Sequence, residues 1–244
     1  MPRFFIDISA VCDDNGEKSI IITGDDAHHI SRSLRMRVGE ELVCCDGVGT
    51  DYACRASRIT DTEVTLSVVS ETPSLAEPPY RATVYQALVK EDKLDTVIMK
   101  SVELGACRIV PFTTPRCTVK LDGRDTAKKL ERWNRIAAEA AKQCGRGIIP
   151  TVGEPLSFSE MIKEASCADI PLFCFERENA PLRDAITHGE TVSVVVGPEG
   201  GFSDEEAKKA VAAGMKSVSL GRRILRTESA APHVLSCISF AFEK

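Results

Sequence analysis

The chain has 244 residues, 43% of them hydrophobic and 27% charged, an ordinary globular composition that excludes a disordered or low-complexity protein. Its net charge of −5 argues at first sight against a nucleic-acid partner, but residues 1–72 carry 7 Lys and Arg against 13 Asp and Glu, residues 81–150 carry 14 against 8, and residues 151–244 carry 10 against 14. A local basic excess, not the mean, sets phosphate affinity, so the middle stretch reads equally as a phosphate contact or as solvated helix faces.

In chain order, Met1 to Ala10 carries Arg3 but soon meets Asp7 and lacks a long apolar core, so it does not read as an export signal. The β-branched run Ser19–Thr23 follows, then Glu41–Cys45, Asp51–Ile59 and Glu63–Val69, separated by Gly47, Gly49 and Thr60-Asp61. Short strands at this spacing predict a small β-barrel. One helix interrupts them, capped by Asp25 or Asp26 and continuing from His28 to Met36. Thr72-Pro73 through Pro78-Pro79 places three prolines in seven residues, and the domain boundary is expected there: a first domain over 1–72, a linker over 73–80, a second domain over 81–244.

The second domain alternates. Strands are predicted at Arg81–Leu88, Arg108–Phe112, Ile170–Phe175, Val192–Val196 and Ser217–Leu220. Helices are predicted at Lys93–Leu104, Thr126–Cys144 with Trp133 in the core, Phe158–Ala165, Leu182–Ile186, Asp204–Ala213 and Glu228–Phe240. This order implies an α/β fold with a parallel sheet covered on both faces. The ten cysteines form no C-x-x-C pair and mostly sit in apolar runs, so they read as reduced, buried small residues with neither metal-site spacing nor a disulfide framework. No apolar run approaches the roughly 20 residues of a membrane span, and a soluble, cytoplasmic protein is expected.

Two segments carry chemistry. The buried strand Val192–Val196 runs into Gly197-Pro198-Glu199-Gly200-Gly201, and a helix starts after Phe202, its beginning set by a Ser203–Glu206 capping box. Ligands of open α/β sheets bind at such strand ends, and glycines there admit close backbone approach. The segment lacks both the G-x-x-x-x-G-K-[ST] and the G-x-G-x-x-G spacing, so a pyrophosphate is not called for. In the second segment, Leu220-Gly221-Arg222-Arg223-Ile224-Leu225-Arg226-Thr227-Glu228, a strand end meets three arginines and two aliphatics before a helix that Thr227 could cap, with Pro232 near its first turn. Backbone and aliphatics there suit an adenine, and Arg226 suits a phosphate or a reacting base.

This pair of segments resembles the cofactor half of the SPOUT methyltransferases. More narrowly, the chain resembles the bacterial family that methylates uracil N3 in 16S ribosomal RNA. His28-His29-Ile30 with Leu34 to Gly39, Lys90 to Gly105, and Glu131-Arg132-Trp133 with Glu139-Ala140, Gln143 and Arg146 extend the resemblance over nearly the whole chain. It implies a PUA-like β-barrel followed by a trefoil-knotted α/β domain with a parallel sheet, a homodimer, S-adenosylmethionine as cofactor, and 16S rRNA of the small ribosomal subunit as partner, with no membrane and no metal. Cofactor binding falls to Gly197, Pro198, Glu199, Gly200, Gly201, Leu220, Gly221, Ile224 and Leu225, with Leu172 and Glu176 from a third strand end. Arg226 is expected to stabilise charge on the base, and Glu228 either to act as the base or to cap the last helix. RNA contacts are expected from Arg32, Arg35, Arg37, Lys90, Lys93, Lys100, Arg132 and Arg146. The two cofactor segments alone leave open another RNA target, such as transfer RNA or a ribose 2′-hydroxyl, and a non-catalytic RNA-binding module.

Overall fold

The computed structural model describes residues 1–14, 16–119 and 123–243, and the chain divides into two compact units. The first unit comprises Met1–Glu77 and Ala141–Ile149; the second comprises Pro78–Ala140 and Pro150–Lys244.

The first unit is a six-stranded, mostly antiparallel sheet of β1 (Arg3–Phe5), β2 (Val11–Asp14), β3 (Glu17–Thr23), β4 (Glu41–Cys45), β5 (Thr50–Ile59) and β6 (Glu63–Pro73), in the order β1-β4-β5-β6-β3-β2. Its side chains alternate as a half-buried sheet requires. Ile20 and Ile22 of β3, Tyr52, Cys54 and Ala56 of β5, and Val64 and Leu66 of β6 point into one core, while Ile21 faces out. Neither β1 nor β2 was expected; both are too short to show a period. β6 runs four residues beyond its expected end, through Pro73, because it stays paired with Thr50 at the mouth of the β5 hairpin. The predicted helix is also shorter. It begins at Gly24, after an extended Thr23 that makes no side-chain cap, and α1 (Gly24–His28) widens into a π-type turn at His29–Ser33. Asp25 and Asp26 therefore sit inside the first turn, where carboxylates complement the helix dipole, and neither is the cap.

The second unit is a parallel sheet in the order β10-β8-β7-β12-β11-β13. Its elements are β7 (Arg81–Ala87), α2 (Glu91–Glu103), β8 (Ala106–Thr113), α3 (Gly123–Cys144), β9 (Thr151–Val152), β10 (Leu156–Ser157), α4 (Phe158–Ala165), β11 (Ile170–Cys174), α5 (Leu182–Ala185), β12 (Thr191–Val196), α6 (Asp204–Ala212), β13 (Lys216–Val218) and α7 (Thr227–Phe242), with the last turn of α3 counted in the first unit. β12 lies between β7 and β11 and is buried from Val192 to Val196, which is why it reads as an unbroken apolar run. Trp133 is buried on α3. Ser203 and Glu206 make the expected reciprocal cap at α6. Thr227 does not cap α7: Arg226 holds the N-cap position without a side-chain bond, and Pro232 lies inside the helix rather than at its start.

Candidate active site

The parallel strands β11, β12 and β13 all end on one side of the sheet. The chain leaving each of them, at Phe175-Glu176, at Gly197 to Gly201 and at Ser219 to Arg226, lines a single cavity of about 530 Å³. That volume lies in the range of small-molecule and cofactor sites.

The first wall is packed tightly. Gly201 has a φ of 61° and its N–H donates to the Pro198 carbonyl at 2.9 Å, closing the turn. A Cβ on Gly201 would lie 2.5 Å from the Glu176 carboxylate, and one on Gly197 would lie 3.0 Å from the Phe202 ring. Phe202 is fully buried against Phe173, with ring centroids 4.3 Å apart. Arg116 donates to the Gly200 and Phe202 carbonyls, each at 3.0 Å, and Arg177 donates to Phe202 at 3.2 Å while pairing with Asp204. These bonds satisfy carbonyls of a loop that has no ladder to join. The second wall is looser. Gly221 has a φ of 111°, and Ile224 is 86% exposed.

Charge converges where the two walls meet α2. Lys93 Nζ donates to Glu199 Oε1 at 2.9 Å and lies 4.0 Å from Glu228 Oε2. That Glu228 oxygen is buried and has no hydrogen-bond partner among the described residues. Arg226 stands 3.9 Å from the other Glu228 oxygen, with its side chain 84% exposed. Burial, the largest single influence, opposes ionisation of Glu199, but the hydrogen bond from Lys93, a backbone N–H and the charges of Lys93 and Lys90 together overcome it and hold the carboxyl below its ordinary value. The same hydrogen bond holds Lys93 above its own. Burial pushes the Cys174 thiol up to about 12, so a neutral sulfur completes the wall.

Most of the expected cofactor set meets here: Glu176, Gly197, Pro198, Glu199, Gly200, Gly201, Leu220, Gly221, Ile224 and Leu225, together with Arg226 and Glu228. Leu172 does not. It lies mid-strand in β11, fully buried and paired to Val194 and Lys216, because the strand ends two residues later; Cys174 and Phe175 take its place. Lys93 lines the cavity. Of the other expected RNA contacts, Arg32 pairs with Asp61, Lys100 with Glu103 and Arg132 with Asp95, while Arg35, Arg37 and Lys90 are exposed without an ion pair among the described residues. Arg146 differs from these: it is 3% exposed and pairs with Glu77 at 2.5 Å inside the first unit, an arrangement that favours a structural role over a phosphate contact. Sequence reasoning passed over Gln86, a polar residue in the apolar strand β7, and took Thr227 only for a cap; both bond to the Gly197 loop. The break in the apolar run at Gln86 was the available signal.

Residues 76–239 match the RNA methyltransferase domain family, and residues 22–69 match the RNA methyltransferase PUA domain family. The chain is 32% identical to ribosomal RNA small subunit methyltransferase E of Bacillus subtilis, covering 100% of this chain and 98% of that protein. It is 33% identical to the protein of the same name from Synechocystis, covering 93% of this chain and 75% of that one. The crystal structure of the Neisseria gonorrhoeae protein of that name, bound to S-adenosylmethionine, superposes with a TM-score of 0.85 at 29% identity, over 99% of this chain and 98% of that one.

Proposed function

The chain belongs to the ribosomal RNA small subunit methyltransferase E family, and from that premise we propose that it transfers a methyl group from S-adenosylmethionine to N3 of a uridine in 16S ribosomal RNA. The observation that carries the reading is the cavity at the ends of β11, β12 and β13, with a buried, unpartnered Glu228 oxygen at its edge. The residues present fit a methyl donor. Gly197, Gly200 and Gly201 make one wall of backbone, tightly packed on Phe202 and Glu176, and Leu220 to Leu225 offer backbone and aliphatic surface on the other. The donor, when bound, supplies a methyl carbon made electrophilic by its sulfonium.

The chain's own residues align the partners and manage one proton. Alignment can supply up to about 7–11 kcal/mol of the barrier. Uridine N3 carries a proton that must leave, and Glu228 is the group suited to take it: its buried oxygen makes no hydrogen bond among the described residues, and Lys93 stands 4.0 Å away. Glu228 lies in the first turn of α7, one residue into the helix beyond Thr227, which places its carboxyl at the cavity. Arg226, exposed and beside Glu228, is suited to the negative charge that develops on the base carbonyls.

Drawing the uridine out of a stack costs a few kcal/mol, which basic side chains offset. Arg35 and Arg37 in the first unit and Lys90 in the second, free of ion pairs among the described residues, lead this set, followed by Arg32, Lys93, Lys100 and Arg132. The reading includes a homodimer and a trefoil knot. The exposed Phe240 on α7 supports the first, and the entry of β12 between two earlier strands supports the second. It also includes action in the cytoplasm; among the described residues no helix is long and apolar enough to cross a membrane.

Calorimetric titration of the protein with S-adenosylmethionine tests the cofactor, and no heat of binding would remove it. Nucleoside mapping in cells lacking the protein tests the target. Loss of N3-methyluridine from small-subunit RNA is expected, and its persistence would end the claim to that base.

A further inference from the structure

We infer that Gln86 and Thr227 are positioning residues that set the spacing between the two cofactor loops, an inference that rests on the methyl-donor reading of the pocket. Gln86 is next to last in β7 and fully buried. Its amide Nε2 donates to Thr227 Oγ1 at 2.9 Å and to the Ala87 carbonyl at 3.0 Å, with a longer approach of 3.5 Å to the Gly197 carbonyl. The Thr227 hydroxyl in turn donates to that Gly197 carbonyl at 2.7 Å. One amide and one hydroxyl thus join three points: the end of β7, the first residue of the loop after β12, and the first residue of α7.

Those points matter because of what lies beyond them. Gly197 opens the first wall of the cavity, and Thr227 directly follows the second. The stretch from Leu220 to Arg226 hangs between β13 and α7, with Ile224 and Arg226 exposed, so little in its own packing fixes its distance from Gly197. The hydrogen bond between Thr227 and Gly197 supplies that distance at its root. Without it, the walls must be brought together when the donor enters, and the ordering is subtracted from affinity.

Two features argue that the arrangement does not serve the fold alone. The Thr227 hydroxyl, one position past the N-cap of α7, donates across to the Gly197 carbonyl of another loop. Gln86 Oε1 is buried with no hydrogen-bond partner among the described residues, an arrangement that destabilises a core. Its neighbours Tyr85, Ala87 and Leu88 are all buried, so an apolar side chain would meet the needs of packing at this position without an orphaned oxygen.

The test uses the full chain, titrated with S-adenosylmethionine by calorimetry, alongside the unfolding midpoint without donor and steady-state kinetics on small-subunit RNA. Gln86→Leu and Thr227→Val are each expected to weaken donor binding by about tenfold, the loss of one net hydrogen bond. Thr227→Ser, which keeps the hydroxyl, is expected to stay within about twofold of the parent, since it loses only a methyl group. Turnover at saturating donor should be retained in all three, with the effect confined to the donor KM. Because both bonds serve one clamp, the double variant Gln86→Leu with Thr227→Val should bind no worse than the weaker single variant. A fall in unfolding midpoint with unchanged donor affinity in Gln86→Leu would reduce the pair to fold structure and overturn the inference. Should Thr227→Val not fold, Gln86→Leu and Thr227→Ser decide the matter by themselves. Failure of the parent protein to bind donor would remove the proposed function and the clamp together, whereas parent binding with unaffected variants would remove the clamp alone.

Discussion

In the first unit, Glu77 accepts from the Arg146 guanidinium and from the backbone N–H groups of Gly147 and Ile148, at 2.9 and 3.0 Å for the latter two. In the second unit, Glu228 has one oxygen buried without a hydrogen bond among the described residues and two cations standing back at 3.9 and 4.0 Å. Both clusters use carboxylates and basic side chains, yet the first is saturated and the second is not. Burial opposes ionisation of Glu77, and Arg146 with the backbone donors overcomes this and holds the carboxyl below its ordinary value. A network with every valence filled holds backbone in place, whereas an open valence beside a cavity is available to an incoming group. The comparison separates a charge held in a structural network from one left open beside a cavity.

The contrast is sharpest at Arg146. Arg146→Ala leaves the half-buried Glu77 carboxylate with its two backbone donors but without its cation, and a loss of up to about 3–5 kcal/mol in urea denaturation is expected. A loss near zero would return this arginine to the surface and undo the distinction. In the other cluster, Glu228→Gln removes the proton acceptor and is expected to lower turnover about a hundredfold or more, with donor affinity and unfolding midpoint near the parent's. Full turnover in that variant would show that the open oxygen is not at work. Gly201→Val imposes a side chain at a φ of 61°, and its Cβ would meet the Glu176 carboxylate. The strain is about 1–3 kcal/mol. It should appear in calorimetry as weakened or lost donor binding while circular dichroism stays that of the folded chain.

The smallest effect concerns Lys93 and Glu199. Because Glu199 is held below its ordinary value, the pair's contribution is complete above about pH 4.3 and is lost as pH falls through the lowered value. Because Lys93 is held above its own, the contribution is complete below about pH 10.4 and is lost as pH rises through the raised value. The difference in unfolding midpoint between the parent and Lys93→Met should therefore be small and level from pH 5 to 9, as expected for a partly exposed pair, and should close in stronger acid. A gap unchanged in strong acid would mean that Lys93 contributes through its methylenes and not its charge.

Much of this was legible in the residues. The run Val192–Val196 announces a doubly covered strand, Ser203 and Glu206 fix a helix start, and the glycines at 197, 200, 201 and 221 mark the bends around the cavity. Period, capping and turn chemistry are local, acting over a few residues, so sequence by itself determined the order of elements, the parallel sheet and the two loops that line the cavity. Tertiary structure alone decided which side chains meet. Arg146 is buried because Glu77, 69 residues away, comes to it; Thr227 does not cap because α7 starts one residue earlier than its hydroxyl would need, and that hydroxyl meets Gln86 and Gly197, 141 and 30 residues away; and Leu172 is core because two strands flank it. A side chain's environment is set by contacts that no window of sequence contains, and there the same arginine is either a surface charge or a strut.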